Sequence, residues 1–315
     1  MPSETPTPRS DLTVASLNIL HGLTCPPETE FCRLADRVEL FFQWIVAAGC
    51  PDFVNVQEVL GGVLALVREK AGSACPFPYE IVESSKSQNI VLSRYPVLAS
   101  RTESLHGGVR LVLHVRVDHP IGPVDVFTTH LAASIDGGNA PCGPVCPEEC
   151  IGAGAATNRD CQAVQVRRFV EKTHDLGTPA VVTGDFNAPP GSFVYEQFVG
   201  AGWIDAYLEA GNPECDPATG VGCTSGRQDE NLVDMESPEN GVDERIDFAF
   251  VVPPREPAIC NFEIDPAEDA DGDGLGTRIF ADLPNPFVPE CGPRPLPICW
   301  PSDHEGMQVD LNCLP

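Results

Sequence analysis

Ala180-Val181-Val182-Thr183-Gly184-Asp185-Phe186-Asn187 is the stretch on which the reading of this chain turns. Its apolar, β-branched start reads as a buried strand, and Gly184 predicts a sharp turn of the backbone at the strand's end. Asp185 and Asn187 then alternate onto one side of the chain as it leaves the sheet. Open α/β proteins build their sites just beyond the carboxyl ends of strands. A strand closed by an Asx turn is the competing structural reading. The rest of the chain decides between them, because polar residues recur at strand ends along its length.

Composition sets the limits. A chain of 315 residues can bury a large core, and its apolar content of 42% describes a soluble globular protein. No run approaches the roughly 18 apolar residues of a membrane-spanning helix, so no transmembrane segment is expected. With 19 basic against 46 acidic residues the net charge is -27. Such a surface repels polyanions at long range and excludes a general basic platform for nucleic acid or anionic lipid. Either substrate would need a local basic patch or a metal ion.

The 14 cysteines are even in number and sit mostly in Pro- and Gly-rich loops. They read as disulfides formed in an oxidising compartment, which places the protein outside the cytosol, secreted or periplasmic. Pairing is not readable from sequence, although Cys25 with Cys32 and Cys215 with Cys223 would close short loops. Cys142, Cys146, Cys150 and Cys161 lack the regular spacings of a structural zinc site, which favours disulfides there too. Residues 1–10 read as a flexible N-terminal tail. Residues 11–315 read as a single domain with disulfide-rich loop insertions, expected to act as a monomer.

Taken in order, Leu12 to Leu17 alternate as a strand closed by Asn18. Arg37 to Ala48 carry a broad apolar face and then Gly49, a helix with a glycine stop. Phe53 to Gln57 form a second strand, and the carboxylate of Glu58 follows it directly as a candidate hard-cation ligand. Gly62 to Ala71 predict a short helix, and Asn89 to Arg94 a strand. Val109 to Val117 and Val124 to Thr129 predict a hairpin whose second strand ends at His130. Ser134 to Ala156 read as an excursion held by disulfides. Asn158 is then expected to cap a helix from Arg159 to about His174. After a short helix at Phe193 to Phe198, residues 209–242 form a long loop of low apolar content that could border a site. Arg245 to Val252 read as a strand with Asp247 near its start, where a carboxylate needs a partner. Asp303 and His304 precede a terminal strand, Gly306 to Leu311. Asp269, Asp271 and Asp273 alternate ahead of Gly274, the chemistry of a hard-cation loop; an irregular structural Ca2+ site is favoured there over an unliganded acidic loop.

Ser16-Leu17-Asn18, Val56-Gln57-Glu58, Leu92-Ser93-Arg94-Tyr95-Pro96, Thr129-His130-Leu131, Gly184-Asp185-Phe186-Asn187, Arg245-Ile246-Asp247 and Ser302-Asp303-His304 occur in this order from one end of the chain to the other. In that order the chain resembles the endonuclease/exonuclease/phosphatase superfamily, the deoxyribonuclease I-like fold. The resemblance implies an α/β protein, a four-layered α/β sandwich of two mostly antiparallel β-sheets packed face to face with helices outside. It implies hydrolysis of a phosphoester, in which the phosphoryl charge must be neutralised, a water positioned in line and the leaving oxygen stabilised.

On that reading Glu58 suits the principal ligand of Mg2+ (or Mn2+), with Asn18 and Asp303 nearby. Asp185 suits deprotonation of the attacking water, and Asn187 can donate to a phosphoryl oxygen. Asp247 would fix the tautomer of His304 and favour its charged form, while the resemblance implies His130 for the phosphate or the leaving group. The substrate stays open between nucleic acid and a phospholipid or sphingomyelin-type head group. Val59 and Leu60 follow Glu58 where deoxyribonuclease I-like members carry an Arg, and no long apolar hairpin suited to dipping into a membrane is present. A non-catalytic, Ca2+-stabilised extracellular binding module on the same scaffold is the alternative. It would have no use for so many costly polar residues at strand ends.

Overall fold

Residues 12–20, 32–60, 62–85, 88–174, 177, 180–227, 241–254, 261–266, 276–279 and 298–314 are described by the computed structural model. The N-terminal tail at 1–10, Cys25 and the Asp269, Asp271, Asp273 loop lie outside the described residues.

Period-two alternation on strands buried on both faces dictates the layering. One sheet contains β1 (Leu12–Asn18), β2 (Phe53–Gln57), β3 (Glu80–Glu83), β4 (Ile90–Ser93), β11 (Asn261–Ile264), β12 (Arg278–Ile279) and β13 (Met307–Leu314). Its seven strands run in the order β11-β13-β1-β2-β4-β3, with β12 also pairing β13. The other contains β5 (Val97–Ser104), β6 (Leu111–His119), β7 (Gly122–His130), β8 (Ala180–Asp185), β9 (Ile204–Asp205) and β10 (Asp247–Val252). Its six strands run β5-β6-β7-β8-β10-β9. Leu12, Val14, Phe53, Val91, Val115, Val126, Val181, Val251 and Val309 fill the space between the sheets. Helices α1 (Leu34–Ala47) and α2 (Gly62–Ala71) cover the outer face of the first sheet through Phe41, Ile45, Val63 and Val67. Helices α4 (Asn158–Thr173) and α5 (Phe193–Val199) cover the second through Val166, Val170, Val194 and Phe198. The expected four layers are present.

Among the described residues each sheet holds one parallel pair, β1 with β2 and β7 with β8, and every other pairing is antiparallel. The carboxyl ends of the parallel strands therefore meet the starts of their antiparallel neighbours at one edge. Met307 at the head of β13 pairs with Ser16, and Asp247 at the head of β10 pairs with Asp185.

Gly184 has a different reason from the one its position suggests. It lies inside β8 rather than at a turn, with φ 147°, and a Cβ there would sit 1.9 Å from the Thr129 carbonyl oxygen of β7. Close approach of two backbones demands the glycine. The cap of α4 falls one residue earlier than expected: the Thr157 hydroxyl accepts from the Asp160 amide at 3.2 Å, and the Asp160 carboxylate accepts from the Thr157 amide at 2.9 Å.

The 134–156 excursion is cross-linked as anticipated, by Cys142–Cys146 and Cys150–Cys161, and it carries a short helix, α3 (Glu148–Ala153). Cys50–Cys75 and Cys215–Cys223 are also bonded, as are Cys32, Cys299 and Cys313, and no free thiol occurs among the described residues. No helix among the described residues is long and apolar enough to cross a membrane.

Candidate active site

Polarity rises along the inner faces of the two sheets toward one edge. Alternate residues read Leu12, Val14, Ser16, Asn18 on β1 and Phe53, Asn55, Gln57 on β2. They read Val124, Val126, Thr128, His130 on β7 and Val181, Thr183, Asp185 on β8. The intermediate residues bond across the sandwich: Asn55 Nδ2 donates to Thr183 Oγ1 at 2.7 Å, and Gln57 Nε2 donates to Thr128 Oγ1 at 2.9 Å. These amide-to-hydroxyl bonds join the two sheets directly beneath the edge, where burial makes each costly to lose.

At the edge itself the expected residues converge. Asn18 Nδ2 donates to Glu58 Oε1 at 3.2 Å and to Asp185 Oδ2 at 3.1 Å, which bridges the two sheets. Asp185 Oδ1 accepts the Asn187 amide at 2.8 Å, and one hydrogen of the Asn187 side-chain amide goes to the Leu131 carbonyl at 3.0 Å. Asp247 Oδ2 lies 2.8 Å from His304 Nδ1, and His304 Nε2 faces Asp185 Oδ2 at 3.8 Å and Asp303 Oδ2 at 3.9 Å. Ser302 Oγ donates to the Asn18 carbonyl at 2.6 Å and accepts the His304 amide at 3.2 Å, which ties the last loop to the end of β1. Leu20, Glu58 and Asn187 hold positive φ of 47°, 60° and 51°, each just past a strand end. Non-glycine residues in this region carry strain that clusters at functional sites.

The charges are uneven. Glu58, Asp185, Asp247 and Asp303 face Arg110 and His304, an excess of carboxylates over cations. Burial and the charge of Asp303 raise the pKa of Glu58. Burial, then the charge of Asp247, push Asp185 up to about 7. Burial alone would lower the pKa of His304, but Asp247, Asp303 and Asp185 together hold it well above the usual histidine value. His130 goes the other way: burial and the charges of Arg110 and His304 keep it neutral.

Arg110 is one site residue that the sequence reading missed. β6 runs antiparallel to β7, so the residue just before β6 arrives beside the end of β7. Arg110 Nη1 donates to His130 Nδ1 at 2.9 Å and its other arm pairs with Asp136. A guanidinium can only donate, so the neutral His130 carries its proton on Nε2, 3.4 Å from Asp185 Oδ2. Arg159 on α4, also missed, donates to the Asn187 carbonyl. Arg110 falls inside the expected Val109–Val117 strand and Arg159 at the start of the expected helix, and neither pattern marks its residue as part of a site.

A crowded set of hard oxygen donors with excess negative charge fits a divalent cation. Glu58 and Asp303 present such oxygens. Asn18 turns its nitrogen toward Glu58 and Asp185 while its Oδ1 accepts the Leu20 amide at 3.2 Å, so its amide must rotate before it can ligate. Asp185, Asp247 and His304 also offer ligand atoms within 4.8 Å of one another, but a charged imidazole has no lone pair to give a metal.

Two face-packed mixed sheets with an acidic, histidine-bearing edge define a hydrolase-like α/β sandwich. The sequence profile of the Endonuclease/Exonuclease/phosphatase family matches residues 15–304, and the chain belongs to that family, whose members typically hydrolyse phosphoester bonds. Comparison with curated protein sequences gives no match. Among solved structures, a humanized D. rerio TDP2 is 15% identical, with a TM-score of 0.61 over 96% of this chain and 99% of that one. D. rerio TDP2 complexed with single strand DNA product is 16% identical, with a TM-score of 0.60 over 96% and 99%. The endonuclease/exonuclease/phosphatase from Bacteroides vulgatus is 19% identical, with a TM-score of 0.61 over 97% and 100%. These likenesses show the fold.

Proposed function

We propose that the protein is a secreted, divalent-metal-dependent phosphodiesterase. The observation that carries the reading is the meeting of Asn18, Glu58, His130, Asp185, Asn187, Asp247, Asp303 and His304 at one edge, drawn from both sheets. Glu58 and Asp303 would hold Mg2+ or Mn2+, with Asn18 after rotation of its amide; the ion supplies charge neutralisation at the phosphoryl oxygens and the leaving oxygen.

The chain's own residues supply the rest. Asp185, with its pKa raised to about 7, is poised near neutrality to take a proton from the attacking water. Its Oδ1 is held by the Asn187 amide and its Oδ2 by Asn18 Nδ2, which together orient the carboxylate for that transfer. His304 points Nε2–H into the site as a charged donor to a phosphoryl oxygen, and Asp247 fixes its ring through Nδ1. The second hydrogen of the Asn187 amide is a further donor to the phosphoryl group. His130 orients Asp185 through Nε2–H and carries the positive field of Arg110 toward the substrate.

The cross-linked cysteines support the secreted compartment of this reading. The single-strand DNA bound by D. rerio TDP2 makes nucleic acid a reasonable substrate to test, whereas the net charge of -27 favours small or neutralised esters over long polyanions. The test is a panel of duplex DNA, single-stranded DNA, RNA, sphingomyelin and p-nitrophenyl phosphate with Mg2+ or Mn2+. At least one diester should be cleaved faster than the monoester; cleavage of the monoester alone would contradict the assignment.

A further inference from the structure

Asp247 and His304 come from different sheets, and their partnership depends on a third segment. Thr224 belongs to neither sheet and is fully buried. Its hydroxyl oxygen accepts two amides, Ile246 N and Asp247 N, each at 3.1 Å. Its carbonyl accepts the Glu305 amide at 2.7 Å, and its own amide donates to the Glu244 carbonyl at 2.7 Å. One residue thus grips the head of β10 on one side and the residue after His304 on the other. We propose that Thr224 is a positioning residue that sets the Asp247–His304 pair, acting through both backbones without touching the reacting atoms.

The surrounding loop is built to keep it there. Cys223 is tied to Cys215. Gly226 has φ 120°, and a Cβ on it would lie 2.9 Å from the Asp243 backbone nitrogen, so the two chain segments pass too close for a side chain there. Arg227 pairs with Glu305 and lies 3.9 Å from the centre of the Trp300 ring, a second link from this loop to the His304 segment. Arg245 joins Glu214 at the loop's start to Asp205 through charge-assisted bonds of 2.6 to 2.8 Å. Residues 214–227 are therefore cross-linked to the head of β10 and to the His304 segment. A hydroxyl is needed because two adjacent buried amides converge on a single acceptor, and valine of the same shape would leave both unpaired.

The role in turnover rests on the proposed phosphodiesterase reading; the positioning itself does not, and the test keeps them apart. The downfield proton of the His304 Nδ1–Asp247 hydrogen bond is followed by NMR and assigned by its loss in Asp247→Asn. Thr224→Val should weaken or abolish that resonance and lower kcat on the cleaved diester roughly 10- to 100-fold, the effect of a small misplacement, with KM changed less than about threefold. Thr224→Ser, which keeps the hydroxyl, should restore both, and Thr224→Ala should behave as valine does without any risk of overpacking. A valine or alanine variant that keeps the resonance, or a serine variant as impaired as valine, overturns the proposal. If the resonance responds as described but the wild-type protein cleaves no phosphodiester, the positioning stands and the functional reading falls.

Discussion

His130 and His304 sit in one cluster in opposite charge states, because burial opposes the charge of both and only His304 has carboxylates enough around it to overcome that. His304 has three carboxylates around it and stays protonated, whereas His130 has Arg110 on its Nδ1 and stays neutral. Imidazole 15N shifts should therefore show His304 charged and His130 uncharged throughout pH 6–7.5. A base whose folded pKa is raised contributes stability that is fully present below its unfolded value of about 6.5 and lost as pH rises through the folded value. Asp247→Asn removes the nearest carboxylate and lets burial dominate. His304 should then lose its proton within or below that window, and turnover should fall by about 100-fold or more. A His304 that remains charged in Asp247→Asn would break the argument. At this scale the sequence was informative where a polar residue closed an apolar strand, as at Asn18, Asp185 and His130. Arg110, Arg159 and Thr224 were not legible. Arg110 acts from the start of an expected strand, Arg159 from a helix surface and Thr224 from a loop, and the meaning of each depends on which segment lies beside it.

Elements place these residues through register. β7 and β8 run in parallel with His130 opposite Asp185, and Gly184 is what lets them approach. Gly184→Ala should separate the two strand ends or prevent folding. Its Cβ would meet backbone, which has nowhere to go, so a loss of about 3 kcal/mol or more is expected, with turnover falling together with stability. Thermal melting together with kcat checks this; an alanine variant of wild-type stability and rate would mean that the close approach is unnecessary. The glycine was visible in the sequence and its reason was not, since local pattern suggested a turn and only the neighbouring strand reveals the contact. The inter-sheet polar layer of Asn55, Gln57, Thr128 and Thr183 was hidden likewise. Long strands were read to within a few residues because both their faces are buried. β3, β5, β9, β11 and β12 were not anticipated: β5 is an edge strand and mostly exposed, so it carries little alternation.

The whole molecule repeats one arrangement. β1-α1-β2 and β7-α4-β8 each deliver two parallel strand ends to the same edge, and each is flanked by an antiparallel strand that starts there. Two sheets facing each other then surround a site that neither could form alone, with Asn18 bonded to Asp185 and His304 to Asp247 across the gap. A chain this acidic gains nothing from concentrating further carboxylates at one edge unless they hold a cation. That is the central claim, and hydrolysis of bis-p-nitrophenyl phosphate with Mg2+ or Mn2+, with and without excess EDTA, tests it most directly in wild type and Glu58→Gln. Glu58→Gln keeps the shape and removes a charge that holds the ion, so the rate should drop by about 100-fold or more while the melting temperature stays near that of the wild type, and EDTA should silence the wild type. Full activity in EDTA, or wild-type turnover in folded Glu58→Gln, would contradict the account.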